Sequence, residues 1–417
     1  MIKNENSSFA LAAVCKDPIF WFAVALGLAD GCVRNFVPST FPTFHREMGA
    51  SLRQMGDTQF LFYLSSLIFG AVGGPLLAMI GLNRGAVIAL AMAATSLALI
   101  GFAHQFSTVL MATGLLGLAI VALVVIISSI ISLHFSARRQ SVFLLSGLSD
   151  ASGSMLGPAV LGWWIVHSGG WELTWRSGYF VAAAAMGCLI VWAFLLRSDR
   201  KAKETDSPSS KPTTLQGTQA VLRHPAFYIA VALCFCHGLA QSGMVSFVGQ
   251  LYVKKLHVDA AHAAYLLSIE AAGILSGRLI FGGILARWGI PELLVIALCA
   301  AAETAAFVAT ILSSNYLVGA AMFLVGGFFM SAIGPSLNSY LGGRLTRHAA
   351  AAFALFAGLG NMGAALGPYL IGITGSDFGI ENGVLLSPLF GALLSSIALF
   401  WHIREKRLPA DALGQPA

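Results

Sequence analysis

The stretch that decides the fold is residues 18–44, PIFWFAVALGLADGCVRNFVPSTFPTF. It is long enough to cross the roughly 30 Å hydrocarbon core of a bilayer as a tilted helix, yet it contains Asp30 and Arg34. At about 1.5 Å per residue Asp30 lies near the middle of the span, and Arg34 follows one turn later on the same face. Charges at that depth are costly, so we expect the two side chains to pair and to serve a function. A purely structural ion pair is the alternative.

A second copy of this stretch begins 207 residues later. Residues 18–31 read PIFWFAVALGLADG and residues 225–238 read PAFYIAVALCFCHG, with His237 in the place of Asp30. The motif G-xxx-G-P-xxx-G also occurs twice, at residues 153–162 and 363–372. Small residues at this spacing let helices pack closely in lipid, and proline bends the helix. Two motifs repeated at nearly the same offset indicate a chain of two related halves.

Composition predicts an all-α polytopic membrane protein. The chain is 57% hydrophobic and 10% charged, whereas soluble domains are about 45–50% apolar and about 25% charged. A polar Ser- and Pro-rich stretch predicts a flexible linker between the halves. We therefore predict a six-helix bundle in residues 1–197, a linker in 198–224 and a second bundle in 225–417. The twelve spans are placed at residues 18–44, 57–81, 84–104, 107–134, 141–167, 176–197, 225–252, 260–286, 290–312, 315–341, 349–374 and 383–403.

The basic residues predict the orientation in the membrane. If both termini are cytoplasmic, seventeen of the 24 Lys and Arg lie in inside loops and tails, five in outside loops and two within spans. This asymmetry follows the positive-inside rule, and we expect a bacterial inner membrane. Because topology accounts for the net charge of +6, we expect no nucleic-acid partner. Cys234 and Cys236 diverge around a helix, so we expect no metal site there. We also expect no cofactor.

Glycine-rich stretches follow the second and eighth spans. Both stretches are similar to the loop motif G-xxx-D-R-x-G. In the first, which begins at Gly74, Ala78 and Met79 occupy the positions of the Asp and the Arg. In the second, which begins at Gly282, Ala286 occupies the position of the Asp. With these stretches, the two halves and the linker, nearly the whole chain resembles the major facilitator superfamily. The resemblance implies twelve helices in two pseudo-symmetric bundles, rocker-switch alternating access about a central site, and gating loops. The gating-loop residues would be Gly74, Gly81, Arg84, Gly282, Arg287 and Gly289.

Residues 276–289, SGRLIFGGILARWG, are similar to the same region of oxalate/formate exchangers and monocarboxylate carriers. In those carriers an arginine of the eighth span is taken to hold the substrate carboxylate, and Arg278 matches its position. Their nearby aspartate is replaced here by Ile274. Guanidinium groups bind carboxylates in a bidentate manner, which makes an organic anion plausible. The alternative is that Arg278 pairs with an acid of a neighbouring helix, such as Asp150.

The candidate site residues are the polar side chains of spans that the resemblance places around the cavity. For the neutral ones, hydrogen bonding between helices is an equal alternative. A buried carboxyl or imidazole group can exchange protons near neutral pH. The substrate-binding candidates are Arg34, Arg278, Gln241, Asn338, Asn361 and Tyr63. The proton-coupling candidates are Asp30, Glu270, His237 and Asp150.

These features predict a secondary active transporter of a small organic anion, coupled to protons or working by exchange. We expect it to act as a monomer in the lipid bilayer, on a small-molecule substrate. The chain lacks a phosphate-binding G-xxxx-G-K-[ST] motif and the catalytic motifs of membrane enzymes, so we do not expect an enzyme. The stretch ADGCVRNFVPSTF also resembles sugar:proton symporters of the fucose-permease-like type. Such a symporter, or an exporter of drugs or metabolites, is the alternative.

Overall fold

The computed structural model describes residues 17–134, 139–167, 174–198, 215–288, 290–345 and 349–407. These residues are almost wholly helical, and they contain no strand. The helices are α1 (Pro18–Arg34), α2 (Phe36–Ser39), α3 (Phe41–Met48), α4 (Leu52–Ile80), α5 (Leu82–Phe102), α6 (Phe106–His134), α7 (Arg139–His167), α8 (Thr174–Ser198), α9 (Leu215–Arg223), α10 (Pro225–Leu256), α11 (Ala260–Trp288), α12 (Glu292–Leu312), α13 (Tyr316–Met330), α14 (Ile333–Arg344), α15 (Ala349–Phe378), α16 (Ile380–Val384) and α17 (Leu386–Arg407).

These helices form the predicted membrane crossings. Within the described part of the chain, nine helical segments are long and apolar enough to span a bilayer. The remaining three crossings are α4, α7 and α15, with 29, 29 and 30 residues, or about 43–45 Å of helix at 1.5 Å per residue. The prediction of an all-α polytopic protein with two six-helix bundles is confirmed.

Two crossings that were expected as continuous helices are interrupted. The first consists of α1, α2 and α3, with breaks at Asn35 and Thr40. Pro38 and Pro42 lie in this region, and neither has the N–H group that a continuous helix requires. The tenth crossing breaks at residues 331–332, between α13 and α14. Irregular backbone is tolerated at membrane depth where it borders a cavity, and both interruptions do so.

The end of the predicted linker is ordered. Residues 215–223 form helix α9, and Val221 is fully buried in the same apolar cluster as Phe227 of α10. The expectation of a flexible linker over residues 198–224 is therefore wrong for its last part, because α9 has an apolar side chain to bury. Residues 199–214 lie outside the described residues.

The first predicted gating loop is very short. Helix α4 ends at Ile80 and α5 begins at Leu82, so Gly81 alone connects them. Its φ of +85° lies in the region that favours glycine. Gly74 belongs to helix α4, and Arg84 is exposed in the first turn of α5.

The second predicted gating loop is largely helical. Gly282 and Arg287 belong to α11, which continues to Trp288. Gly289 lies outside the described residues. The glycine-rich motif therefore extends a helix in this half, since only its last residue follows α11. A gating function for either stretch remains a prediction.

The repeated glycine motif makes the same contact in both halves. A Cβ on Gly153 of α7 would collide with the carbonyl oxygen of Leu28 on α1. A Cβ on Gly363 of α15 would collide in the same way with the carbonyl oxygen of Phe235 on α10. Backbones can approach this closely only where no side chain intervenes. The sequence repeat is thus a repeat of the α1–α7 and α10–α15 helix pairs.

The two halves pack against each other through α4 on α15 and α7 on α11. At one end Phe41 of α3 packs on Phe247 of α10, with ring centroids 5.9 Å apart. Nearby, a Cβ on Gly56 of α4 would lie 2.7 Å from the carbonyl oxygen of Pro368 on α15. We call the region around these four residues the sealed end. The opposite end, where α8 ends and α9 begins, is the linker end.

Candidate functional site

A polar cavity of about 300 Å³ lies between the two halves. Its walls come from α1, α2, α4 and α7 of the first half and from α10, α11, α13, α14 and α15 of the second. Most of the substrate-binding and proton-coupling candidates line this one space. They are Arg34, Tyr63, Asp150, His237, Gln241, Glu270, Arg278 and Asn361.

Arg34 is held by two carboxylates. Its guanidinium group donates a hydrogen bond to Asp30, one turn earlier on α1, and its Nη2 lies 3.4 Å from Oδ1 of Asp150 on α7. The expected pairing of Asp30 with Arg34 is observed, and Asp150 joins it. Asp150 comes this close because Gly31 has no side chain; a Cβ there would collide with the Asp150 carbonyl oxygen. Asp30 lies behind Arg34, which forms part of the wall.

Arg278 brings a second positive charge from the other half. Its Nη1 donates a hydrogen bond of 2.8 Å to the carbonyl oxygen of Gly147 on α7, and the same atom lies 4.0 Å from Oδ2 of Asp150. The alternative of a pairing with Asp150 is therefore observed as a loose contact. About a third of the side chain of each arginine remains exposed, 36% for Arg34 and 35% for Arg278. A polar solute in the cavity can reach both guanidinium groups.

Glu270 and His237 face the cavity without hydrogen-bond partners for one polar atom each. Glu270 is 2% exposed, and its Oε1 has no partner among the described residues. The positive charge of Arg278 attracts the Glu270 carboxylate. The buried Nδ1 of His237 likewise has no partner within the described part of the chain. A buried polar atom without a partner is costly, so both side chains are open to a proton or a ligand.

The neutral candidates divide into two groups. Tyr63, Gln241 and Asn361 line the cavity, and Asn361 is exposed. Asn338 is exposed on α14, one turn beyond the lining residue Pro335, and it does not contribute to the wall. The structure therefore separates Asn338 from the other candidates, because the wall that α14 contributes stops one turn before it.

Several polar wall residues were missed by the sequence analysis. Gln59 and Ser154 are among them, and each lies four positions from a polar residue that was named. Ser154, for example, follows Asp150 by four positions. Side chains four apart share a helix face, so this spacing was the signal that could have found them. Asn35 and Ser331 also line the cavity, at the two helix interruptions. The sequence signals for these interruptions were the nearby prolines Pro38, Pro42 and Pro335.

No metal site is apparent in the part of the chain that the structure describes. Its residues include no group of three or more His, Cys, Asp or Glu side chains close enough to hold a metal ion. Glu303 on α12 is a further buried acid, 1% exposed, and it is not part of the cavity wall. The arrangement around the cavity is suited to holding a polar or anionic solute between the halves.

The sequence and the fold of this chain are similar to those of known proteins. The sequence matches the Major Facilitator Superfamily over residues 23–351. No protein of curated function matches the chain by sequence. A bacterial homolog of the human lysosomal transporter Spinster, inward-facing and unoccupied, superposes with a TM-score of 0.74 at 13% identity, covering 92% of this chain and 96% of that chain.

Two further solved structures are similar. The nucleoside transporter NupG has a TM-score of 0.70 at 13% identity, with coverage of 93% of this chain and 99% of that chain. The transporter FucP, in the outward conformation, has a TM-score of 0.62 at 17% identity, with coverage of 91% and 98%. At these identities the likeness establishes the fold, while the sequence match covers most of the chain. The chain therefore belongs to the Major Facilitator Superfamily, whose members are integral membrane transporters and not enzymes.

Proposed function

We propose that this chain carries a small organic anion across the membrane by alternating access, coupled to protons or by exchange. The observation that supports this most is the placement of Arg34 and Arg278, one from each half, on a single cavity with part of each guanidinium exposed. A carboxylate between them would be held by both halves at once. The resemblance to carboxylate carriers around Arg278 supports the same substrate class.

The coupling proton is assigned to the buried acids. Glu270 lines the cavity with one oxygen unpartnered among the described residues, and Asp30 is buried behind Arg34. An ionised carboxylate in such surroundings needs a cation or a proton. When a substrate anion engages Arg34, Asp30 loses part of its counter-charge, and a proton can replace it. His237 is a second candidate on the opposite half.

Alternating access follows from the two-half architecture. We propose that the sealed end, where Phe41 packs on Phe247 and Gly56 approaches Pro368, closes the cavity on one side. A rocking motion of one half against the other would separate these contacts and expose the cavity to that side. We assign the linker end and both termini to the cytoplasm of a bacterial cell, from the distribution of Lys and Arg, and we propose a monomer as the working unit.

The test is counterflow of labelled carboxylates in proteoliposomes. We expect Arg278→Gln to lower the rate at least tenfold, with Arg278→Lys in between, because lysine cannot form the bidentate pair. Arg46→Gln is the matched control, since Arg46 is largely exposed outside the cavity. Ligand-induced thermal stabilisation of the same variants separates binding from motion. If Arg278→Gln binds carboxylates as well as the wild type, the arginine does not hold the substrate.

A second candidate is a neutral polar solute, as in the sugar:proton alternative. The observation that favours it is that the two arginines of the cavity face two aspartates, so that their charges cancel. Amide and hydroxyl groups such as Gln59, Gln241 and Tyr63 could then bind the substrate. In that case Arg278→Gln would retain uptake within about threefold, whereas Asp30→Asn would abolish proton-driven uptake.

A further inference from the structure

Asp150 is placed between the two arginines that are proposed to hold the substrate. One carboxylate oxygen lies 3.4 Å from Nη2 of Arg34, and the other lies 4.0 Å from Nη1 of Arg278. Both distances exceed the 2.7–2.9 Å that is typical of a charge-assisted hydrogen bond. Its Oδ1 makes no hydrogen bond to any described residue. Asp150 therefore neutralises both guanidinium groups without occupying their hydrogen-bonding positions.

Comparison with Asp30 shows which of the two acids would lie next to a bound substrate. Asp30 is hydrogen-bonded to Arg34, and its side chain is only 4% exposed. The Asp150 side chain is 24% exposed and lines the cavity. An incoming carboxylate can reach the free faces of Arg34 and Arg278 while Asp150 stays nearby. The substrate then shares the two positive charges with a resident negative charge.

The summed charge of the two arginines and the two aspartates determines which anions can bind beside them. Two arginines and two aspartates sum to zero, and Glu270 is the proposed site of a proton. Each negative charge on a bound substrate must therefore be matched by a further proton, because uncompensated charge in a low-dielectric site is costly. A monoanion requires one such proton, and a dianion requires two. Removing the charge of Asp150 lowers each requirement by one.

We propose that Asp150 is the residue that restricts the substrate to monoanions. This inference rests on the proposed function, since it concerns the charge of the anion that the two arginines hold. It assigns Asp150 a role in specificity that is separate from carrying the coupling proton. Its position on α7 is maintained by backbone packing against Gly31, so an isosteric substitution changes the charge with little change in shape.

The experiment uses the purified full chain and carboxylates matched in carbon number, such as butyrate with succinate and propionate with malonate, at neutral pH and constant ionic strength. The readout is the ratio of dianion to monoanion affinity, obtained from ligand-induced shifts in the thermal unfolding midpoint. We expect the wild type to favour the monoanions. Asp150→Asn should raise the ratio at least tenfold, and Asp150→Glu should restore it to the wild-type value.

A second variant covers the case in which Asp150→Asn does not fold. Ser154 lines the cavity one turn beyond Asp150, so Ser154→Asp adds a negative charge and should lower the ratio. Asp377→Asn is the control, because Asp377 is exposed on α15 outside the cavity. An unchanged ratio in the variants, with monoanion binding that Arg278→Gln abolishes, would overturn the inference and leave the proposed function standing. Failure of every acid to stabilise both wild type and Asp150→Asn would overturn both.

Discussion

Replacing Gly56 with alanine should open the sealed end. A Cβ at this position would lie 2.7 Å from the carbonyl oxygen of Pro368, 3.2 Å from Cα of Tyr369 and 3.3 Å from Cα of Gly372. All three are backbone atoms of α15, so they cannot move aside as a flexible side chain could. The clash is relieved only if α4 and α15 separate, which is the motion that alternating access requires at this end.

The expected magnitude follows from the cost of overpacking. An extra methyl group in a well-packed interface costs about 1–3 kcal/mol, and this cost applies only to the state in which the halves meet. The helical preference of alanine over glycine, about 1 kcal/mol, applies to both states and cancels. The ratio of open to sealed molecules should therefore rise about 5–150-fold. Gly372→Ala should act in the same direction, because a Cβ there would lie 2.7 Å from the carbonyl oxygen of Leu52.

The assay is the distance between spin labels at Arg46 and Asp377, which are exposed residues of the two halves. Labels are introduced in a cysteine-free background in nanodiscs, and pulsed electron paramagnetic resonance measures the distance distribution. Gly56→Ala should add a population at longer distance. Gly187→Ala is the control, because a Cβ at Gly187 would meet nothing within 4 Å. Identical distributions for the two variants would refute the assignment of this contact as a gate.

Three further predictions concern single helices and the buried pair. Gly153→Ala should lower the thermal unfolding midpoint by forcing α7 from Leu28, because the overpacking cost of about 1–3 kcal/mol exceeds the gain of about 1 kcal/mol from the helix preference of alanine; Gly187→Ala, which has only that gain, should not lower it. Asp30→Asn should abolish proton-driven uptake and retain exchange, measured side by side in proteoliposomes, and loss of both would indicate a structural role. Ser51→Ala removes the capping box of α4 and should cost about 1 kcal/mol, seen as faster hydrogen exchange in its first turn alone.

The main features of the architecture could be predicted because they depend on local or repeated patterns. Hydropathy indicated the crossings, and the repeated stretch that contains Asp30 and His237 indicated two halves. The Asp30–Arg34 contact is set by positions four apart on one helix, so it required no knowledge of the rest of the chain. The interruption at residues 331–332 was not predicted, although Pro335 follows Ser331 by four positions and has no N–H group to donate to its carbonyl oxygen.

The residues that line the cavity could be predicted from the sequence only in part. Gln241 and Asn338 were equally polar members of expected cavity spans, yet the structure places one in the wall and the other outside it. Gln59 was overlooked although it lies one turn from Tyr63. Which residues of a helix face the cavity depends on how far the helix is rotated and where it meets its neighbours, and these quantities are set by packing.

By itself the sequence determined that this chain crosses a membrane in two related bundles and places a paired Asp30 and Arg34 near its middle. Only the tertiary structure decided that Asp150 lies between Arg34 and Arg278 and that Arg278 donates to the carbonyl of Gly147. The reason is physical: hydropathy and helical spacing act along one segment, whereas contacts between residues more than a hundred positions apart arise only when separate helices pack together.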